Sequence, residues 1–465
     1  MNLTKLNPFN AYQLPRFGFL LVFVFFLLFL VDTGVNAQSQ CIINYDENKD
    51  YFTEKVTVTT AKLFTIEYFK NYKLIHAQNE TYCLYQCGTP IPGDLPAGTK
   101  NFSIPLTSVA IYDSSVIPFL EILGLRSTIK AFDNTIFSYV VSPCLQASKN
   151  TITLLDSNNA TEKSKLEPTF NATFGPVVDP TTPNSVSVSI VLDNGPLNRV
   201  EWIKFFGAFF NLEHNATEIY DNISNNYNCL KNFANSNSSS TKPKIAWTNY
   251  IAPSEFNNNT ESWAITDAVY KKVFTEDAGA TYFNSSTLIY TTSSDFLNAI
   301  SEVDILIDET FLAPDISTVY KNYGLTKDSN FKFVKNLAIY REDGIMNSLG
   351  GRDWFEDAVL MNDAVLEDLI NVVNPLLPKS DYSRIWLRNV AKDEPIKYSS
   401  EQNCTDAEST LKDRANNCSS LTTNNPTTNN STTNKPNSND GNSIYDYSPV
   451  FNVVFFIMVF IWNLV

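Results

Sequence analysis

A two-lobed α/β fold, with mainly parallel sheets joined by one long interlobe helix, is what this sequence predicts. Three observations carry the prediction. Residues 109–132 alternate short apolar strand, helix and strand; the same alternation resumes after a polar break at 236–241; and between the two lies the long helical pattern Pro196–Phe233. With 465 residues, of which 43% are hydrophobic and 13% aromatic, the chain has material for two cores rather than one.

Taken in order, residues 54–87 read as strands. KVTVTTA and LFTIEYF alternate, and YKLIHA and YCLYQC are rich in β-branched and aromatic residues. A Pro/Gly loop follows at 88–98. Val109–Tyr112 is a short buried strand, Asp113–Ser115 are capping types, Val116–Leu123 is a helix stopped by Gly124, and Ile129–Phe132 is a second strand. That is a β-α-β unit of a parallel sheet. A Thr/Asn/Pro-rich connection over 158–184 leads to a strand at 186–191. In Pro196–Phe233 the second half places Ala216, Ile219, Tyr220, Ile223, Tyr227 and Leu230 at spacings of three and four, one buried helical face. Asp193, Asn194 and Gly195 precede it as capping types and Pro196 suits a first helical position. The stretch reads as one rod bridging two lobes or, broken at Glu213–Asn215, as a hairpin within one domain; the rest of the chain favours the bridge. Beyond it the expected elements are strands at 244–250, 281–283, 304–308 and 337–340, and helices at 265–274, 294–301, 315–323 and 358–378.

Both ends carry addresses. Lys5 and Arg16 precede the apolar run Phe17–Val31, and Val35-Asn36-Ala37 ends it as a cleavage site, so a signal peptide is expected over 1–37, with an uncleaved anchor as its rival. The apolar tail Val450–Val465 falls short of the roughly 20 residues of a spanning helix. Small residues around Asn439 and a polar spacer precede it, the pattern of a glycosylphosphatidylinositol attachment signal with Asn439 as the attachment residue. The expected division is signal peptide 1–37, β-rich extension 38–100, first lobe 101–195, interlobe helix 196–235, second lobe 242–398, flexible glycosylated stalk 399–440 and removed anchor signal 441–465. The destination is the secretory pathway and the outer face of the plasma membrane or cell wall, with the membrane as partner through the lipid anchor.

Sequons agree with that address: Asn79, Asn101, Asn159, Asn171, Asn215, Asn222, Asn237, Asn258, Asn284, Asn403 and Asn417 each begin Asn-x-Ser/Thr. Asn215 and Asn222 share a helical face about 100° from the apolar stripe, so sugars there point to solvent. Seven cysteines in an oxidising compartment pair and leave one over. The expected pairs are Cys404 with Cys418, and Cys83 or Cys87 with Cys144. A net charge of −15 with no basic run argues against nucleic acid and anionic membrane surfaces as partners.

The order of elements resembles the periplasmic-binding-protein-like family of the helical-linker type, which includes ferric-siderophore, haem and cobalamin binders, and in particular its eukaryotic secreted members. The matching pieces lie between about Asn101 and Arg388: IPLTSVAIYDSSVIPFLEILGLRSTIKAF, the turn Leu166-Glu167-Pro168-Thr169 (Thr169 standing where the family has aspartate), the long helix, VDILIDE, and DWFEDAVLMNDAVLEDLINVVNPLLP. The resemblance implies a small-molecule ligand held between the lobes, at the carboxyl ends of strands. Those ends place Tyr112, Asp113 and Ser114 from one lobe, and Trp247, Tyr250, Asp308 and Glu309 from the other; near Gly350-Gly351, Arg352, Asp353 and Trp354 form a further wall, where Arg352 would pair with an anionic ligand. Each has a plainer reading: Trp247 as core, Asp308 and Glu309 as caps, Arg352 as a structural ion pair, Ser114 as an N-cap. A bacterial relative hands its ligand to an importer through lobe-surface carboxylates. Whether Glu121 does so here, and whether a transporter partner exists, the sequence leaves open.

With two histidines, His76 and His214, a bare metal site is not expected, nor a cofactor. No GxSxG, HExxH, P-loop or GxGxxG element stands in the required setting, so the chain is read as a non-enzyme. A surface glycoprotein with structural or adhesive duty is the alternative, and a hydrolase working through paired carboxylates the minor one.

Overall fold

The computed structural model describes residues 41–177 and 182–422; the expected signal peptide and anchor signal lie outside them. Among the described residues no helix is long and apolar enough to cross a membrane.

The chain opens with a small sheet, β1 (Phe64–Tyr68), β2 (Tyr72–Ala77), β3 (Glu80–Gln86) and β4 (Lys100–Ile104), antiparallel except for the last pair. KVTVTTA, expected as a strand, pairs with nothing; its alternation is real, but a carboxylate takes its backbone. Glu201 is fully buried and accepts N–H bonds from Thr59 (2.8 Å), Thr60 (2.5 Å) and Ala61 (2.7 Å), while the Lys204 ammonium donates to it at 2.8 Å. The extension is thereby bound to the first lobe.

That lobe is a fully parallel sheet in the order β7-β6-β5-β8-β9, with β5 at Val109–Ile111, β6 at Ile129–Asp133, β7 at Thr153–Leu155, β8 at Ala172–Gly175 and β9 at Ser185–Ser187. The expected β-α-β unit is β5, helix Ile117–Ile122 and β6; Gly124 follows in the left-handed region at φ +73°. The strand expected over 186–191 ends at Ser187 and gives way to a turn at Ile190–Leu192.

The expected single rod is three helices: Pro196–Val200, Trp202–Phe210 and Glu213–Ser236. Asn211 breaks it in the left-handed region (φ 56°, ψ 40°), which asparagine tolerates better than most residues. The second and third helices then meet so closely that a Cβ on Gly207 would stand 2.7 Å from that of Ala216. Trp202–Phe210, apolar all round, is therefore interior to the first core, where Phe205, Phe206 and Phe209 pack against Phe174, Tyr82 and Phe119. The bridge proper is Glu213–Ser236, about 36 Å long at 1.5 Å per residue. Its first turns give Ala216, Tyr220 and Ile223 to the first core, and its later ones give Tyr227, Leu230 and Ala234 to the second.

The second lobe is a mixed sheet, β13-β11-β10-β14-β15-β17. Its centre, β10 (Lys244–Ile251), β14 (Ile305–Asp308) and β15 (Ile339–Arg341), is parallel, and its edges, β11 (Ser262–Ile265), β13 (Ile289–Tyr290) and β17 (Arg388–Asn389), are antiparallel; the short β12 (Thr281–Tyr282) pairs with β10. The helix expected at 265–274 starts later, at Val269–Asp277, because Ile265 belongs to β11. The apolar run at 358–378 divides at Met361 into Asp357–Leu360 and Asn362–Val373. A two-stranded parallel sheet, β16 (Ile345–Met346) with β18 (Lys397–Tyr398), completes the lobe.

The disulfides differ from expectation. Cys144 bonds Cys404 and Cys229 bonds Cys418; Cys41 and Cys87 are also oxidised, and Cys83 is the buried free thiol. Separations of 260 and 189 residues leave no trace in local spacing. They also bear on the expected stalk: residues 404–418 are pinned to the first lobe and to the bridge helix as a strap, and the Thr/Asn/Pro tract beyond 422 lies outside the described residues.

Burial raises the Glu201 carboxyl, but Lys204 and the three backbone N–H groups outweigh it and bring it down to about 2. A carboxyl depressed on folding contributes stability above its ordinary value of 4.5, and that contribution is lost as pH falls toward 2. Glu201→Gln is expected to lower unfolding free energy at pH 7 by on the order of 3 kcal/mol in urea titrations. The gap to the unsubstituted chain should narrow steadily below pH 4.5.

Candidate functional site

The carboxyl ends of the parallel strands carry short caps that aim the loops toward the opposite lobe. After β5, Asp113 accepts the Ser115 N–H at 2.9 Å; after β6, Asp133 accepts those of Thr135 and Ile136; after β14, Asp308 accepts the Thr310 N–H at 3.1 Å. The two lobes then meet along a seam. Asn347 donates to the carbonyls of Ser138 (2.9 Å) and Val140 (3.0 Å), and Glu356 accepts N–H bonds from Val141 (2.8 Å) and Ser142 (2.7 Å). Gly351 lies against the Tyr139 carbonyl, where a Cβ would stand 2.0 Å from the oxygen. The Ser114 hydroxyl reaches the Phe355 carbonyl at 3.5 Å.

Behind the seam, the second lobe's strand ends carry a buried ionic network. Arg341 pairs with Asp308 and, at 2.7 Å, with Asp343; Arg388 pairs with Asp343 at 2.8 Å; Lys271 pairs with Glu309 and lies 3.6 Å from Glu342. Arg352 donates to the carbonyls of Glu309 (3.2 Å) and Thr310 (2.7 Å), lies 4.0 Å from Glu342, and has a buried Nε with no hydrogen-bond partner. Desolvation, and then the nearby Arg341, push the Arg352 guanidinium down to about 10. Desolvation likewise brings the Lys271 ammonium down to about 8.

Of the expected site residues, Arg352, Glu309 and Asp308 are gathered at this edge. Asp308 is committed to Tyr323, Thr310 and Arg341, a buried ion pair where its plainer reading had a helix cap; Asp315 caps the helix that follows. Trp247 is fully buried, its indole N–H donating to Thr275 at 3.0 Å; it is core, with Trp354 beside it at 6.0 Å between ring centroids, the planes tilted by 37°. Tyr250 is held by Thr310 and Glu261. Tyr112 and Asp113 stand at the first lobe's edge, half-buried; burial, then Glu167, raise the Tyr112 hydroxyl, and burial raises the Asp113 carboxyl. Glu121 is buried and bonded to Arg126 and Ser142, so it is no surface acid. His76 lies 3.2 Å from the Thr81 hydroxyl, and His214 is exposed beside Glu218.

Sequence reading missed Lys271, Arg341, Glu342 and Asp343, although Arg-Glu-Asp directly after the apolar LAIY was a signal. It also missed an apolar rim. Leu312 (63% exposed, φ +50°), Leu349 (64%) and Phe355 (52%) stand on the loops around Arg352. A cavity of about 590 Å³ under the strap is lined by none of the nine expected residues. Two of its lining residues, Asp353 and Asp357, could share a cation with the neighbouring Glu356, but Arg414 pairs with the two aspartates and Glu356 is bound to the seam.

No family model matches the chain. The uncharacterized lipoprotein MJ0878 of Methanocaldococcus jannaschii is 25% identical over 200 residues, 42% of this chain and 44% of that protein. The chain thus spans less than half the length of the curated relative it matches. Among solved structures, Helicobacter pylori Ceue with Ni(II) bound aligns over 59% of this chain and 85% of its own, at 12% identity and a TM-score of 0.41. A periplasmic heme binding protein from Pseudomonas aeruginosa aligns over 61% and 97%, at 14% and 0.41. The periplasmic heme binding protein HutB of Vibrio cholerae aligns over 58% and 100%, at 14% and 0.40. These structural neighbours are periplasmic solute-binding proteins.

Proposed function

We propose that the chain is an extracellular, lipid-anchored surface protein that captures a small ligand between its lobes without chemistry. The ligand class is an anionic, largely apolar one, such as a ferric siderophore, haem or corrin chelate. The observation that carries this reading is Arg352: a buried guanidinium at the seam, held by two neutral carbonyls, with an unpartnered Nε and an exposed apolar rim around it. A ligand carboxylate would exchange neutral acceptors for a charged one, roughly doubling the bond strength, while Leu312, Leu349 and Phe355 would cover its apolar body. Capture needs the seam to part: its polar bonds run mostly from side chains to backbone, and the apolar contact that would have to slide is that of Val359 and Leu360 against the first core. The address has its own support: every sequon asparagine named above is exposed.

A ligand-free structural or adhesive glycoprotein is the second reading, favoured by the closed seam and the absence of any exposed surface on Trp247. Tryptophan fluorescence of the secreted chain, titrated with ferric siderophores, haem and corrins, separates the two. Capture predicts saturable quenching of the Trp247–Trp354 pair, with affinity lowered by about tenfold or more in Arg352→Met. A flat response across the panel would leave the adhesive reading standing.

Gly351→Ala forces a methyl group onto the Tyr139 carbonyl and is expected to wedge the seam apart. Small-angle scattering should report a larger radius of gyration, and ligand should dissociate faster; an unchanged radius would mean that the seam is not the opening.

A further inference from the structure

We propose that the cavity under the strap is the seat of the chain's own carbohydrate, carried on Asn403. The strap is held off the body at defined points: Cys404 by Cys144, Cys418 by Cys229, and the carbonyls of Ala407 and Ser409 by the Arg126 guanidinium at 2.6 and 3.0 Å. Beneath it lie about 590 Å³, within the range of about 300–1,000 Å³ that small-ligand pockets occupy. Asn403 and Thr405, the first and third residues of one sequon, both line this space.

The asparagine is presented for attachment. Its Oδ1 is engaged by the Ser400 N–H at 2.9 Å and the Ser400 hydroxyl at 3.2 Å, which leaves Nδ2, the atom that carries a sugar, uncommitted. Asn237 offers a contrast. It also borders a cavity, but one of only about 160 Å³, and its Nδ2 is spent on the Phe233 carbonyl at 2.8 Å.

The lining suits a neutral polyhydroxyl occupant. Four carboxylates (Glu121, Asp353, Asp357, Asp406) meet four cations (Arg126, Lys397, Lys412, Arg414) in the lining, with Glu121 on Arg126 at 2.6 Å and Asp353 on Arg414 at 2.7 Å, so neither a free anion nor a free cation is called for. Together they present carboxylate acceptors and guanidinium donors side by side, the combination that serves adjacent hydroxyls, each both donor and acceptor. Tyr398, 62% exposed at the rim, offers a flat apolar face to a sugar ring.

This inference rests on the secretory address proposed above, and the test separates the two. The full chain is secreted from eukaryotic cells, site occupancy is mapped by glycopeptide mass spectrometry, and release by endoglycosidase is timed on the native protein. The Asn403 glycan should be released about tenfold more slowly than that on Asn258, a loop site, and at the same rate once the protein is denatured and reduced. Thr405→Ala, which abolishes the sequon but keeps Asn403, should speed hydrogen exchange across 397–412; Thr405→Ser, which keeps the sequon, should not. Equal native release at both sites, an empty Asn403 beside occupied neighbours, or unchanged exchange in Thr405→Ala would each overturn the proposal. Sugar on no site at all would overturn it together with the address.

Discussion

A buried ammonium holds the turn on which the two-lobed arrangement depends. Lys73, fully buried on β2, donates to the Ala208 carbonyl at 2.8 Å and to Asn211 Oδ1 at 2.8 Å, and pairs with Glu213. It thus binds the last turn of one helix, the left-handed residue that ends it and the first residue of the next. Burial disfavours the charged lysine, and Glu213 works against that cost. Without this turn, Trp202–Phe210 would run on into the bridge and its aromatic residues would leave the first core. With it, they stay, and Glu213–Ser236 starts afresh in a direction that ends in the second core. The extension sheet therefore sets the bridge's departure from the first lobe.

The other links between the lobes follow from that geometry. A single helix can pivot, and the seam at 138–142 and 347–356 fixes the remaining freedom through bonds to backbone groups, backed by Val359 and Leu360, which pack into the first core. The strap adds covalent restraint, one disulfide to the first-lobe helix Pro143–Ala147 and another to the bridge itself. Closing loops of this length removes much of the unfolded chain's freedom, an effect that grows slowly with loop length.

How legible all this was in the sequence depends on the range of the interaction. The β-α-β unit, the apolar face of the bridge and the outward direction of Asn215 and Asn222 are local periodicities, and they stand as expected. A break near the start of the bridge was legible only as the alternative at Glu213–Asn215; its place at Asn211 was not, because one residue's left-handed conformation leaves the apolar pattern on both sides intact. The alternation of KVTVTTA looked like a strand, yet its backbone donors are taken by a glutamate some 140 residues away. Cysteine pairing and the strap are decided by contacts across the whole chain, which spacing cannot encode. At the candidate site, residue type located the edge but not the roles. Trp247 read more readily as core than as wall, and its burial against Thr275 makes it core.

The second lobe's edge also explains why one cation there differs from its neighbours. Lys271, Arg341, Arg352 and Arg388 face Asp308, Glu309, Glu342 and Asp343, so the charges balance overall. The balance is not uniform. Arg341 and Arg388 share Asp343 through bonds of 2.7 and 2.8 Å, and Lys271 is paired directly with Glu309. Arg352 alone among the four has carbonyls as its nearest acceptors, with its carboxylate neighbour at 4.0 Å. A new anion arriving at Arg341 would have to displace a bonded carboxylate and strand it in a buried setting, a loss of several kcal/mol by the usual cost of breaking such pairs. At Arg352 it would displace at most a carbonyl, which the network can rebond. How the internal charges are spent therefore sets Arg352 apart as the cation whose acceptors are neutral, and it is this residue that the proposed capture of an anionic ligand uses, with Leu312, Leu349 and Phe355 exposed on the loops beside it.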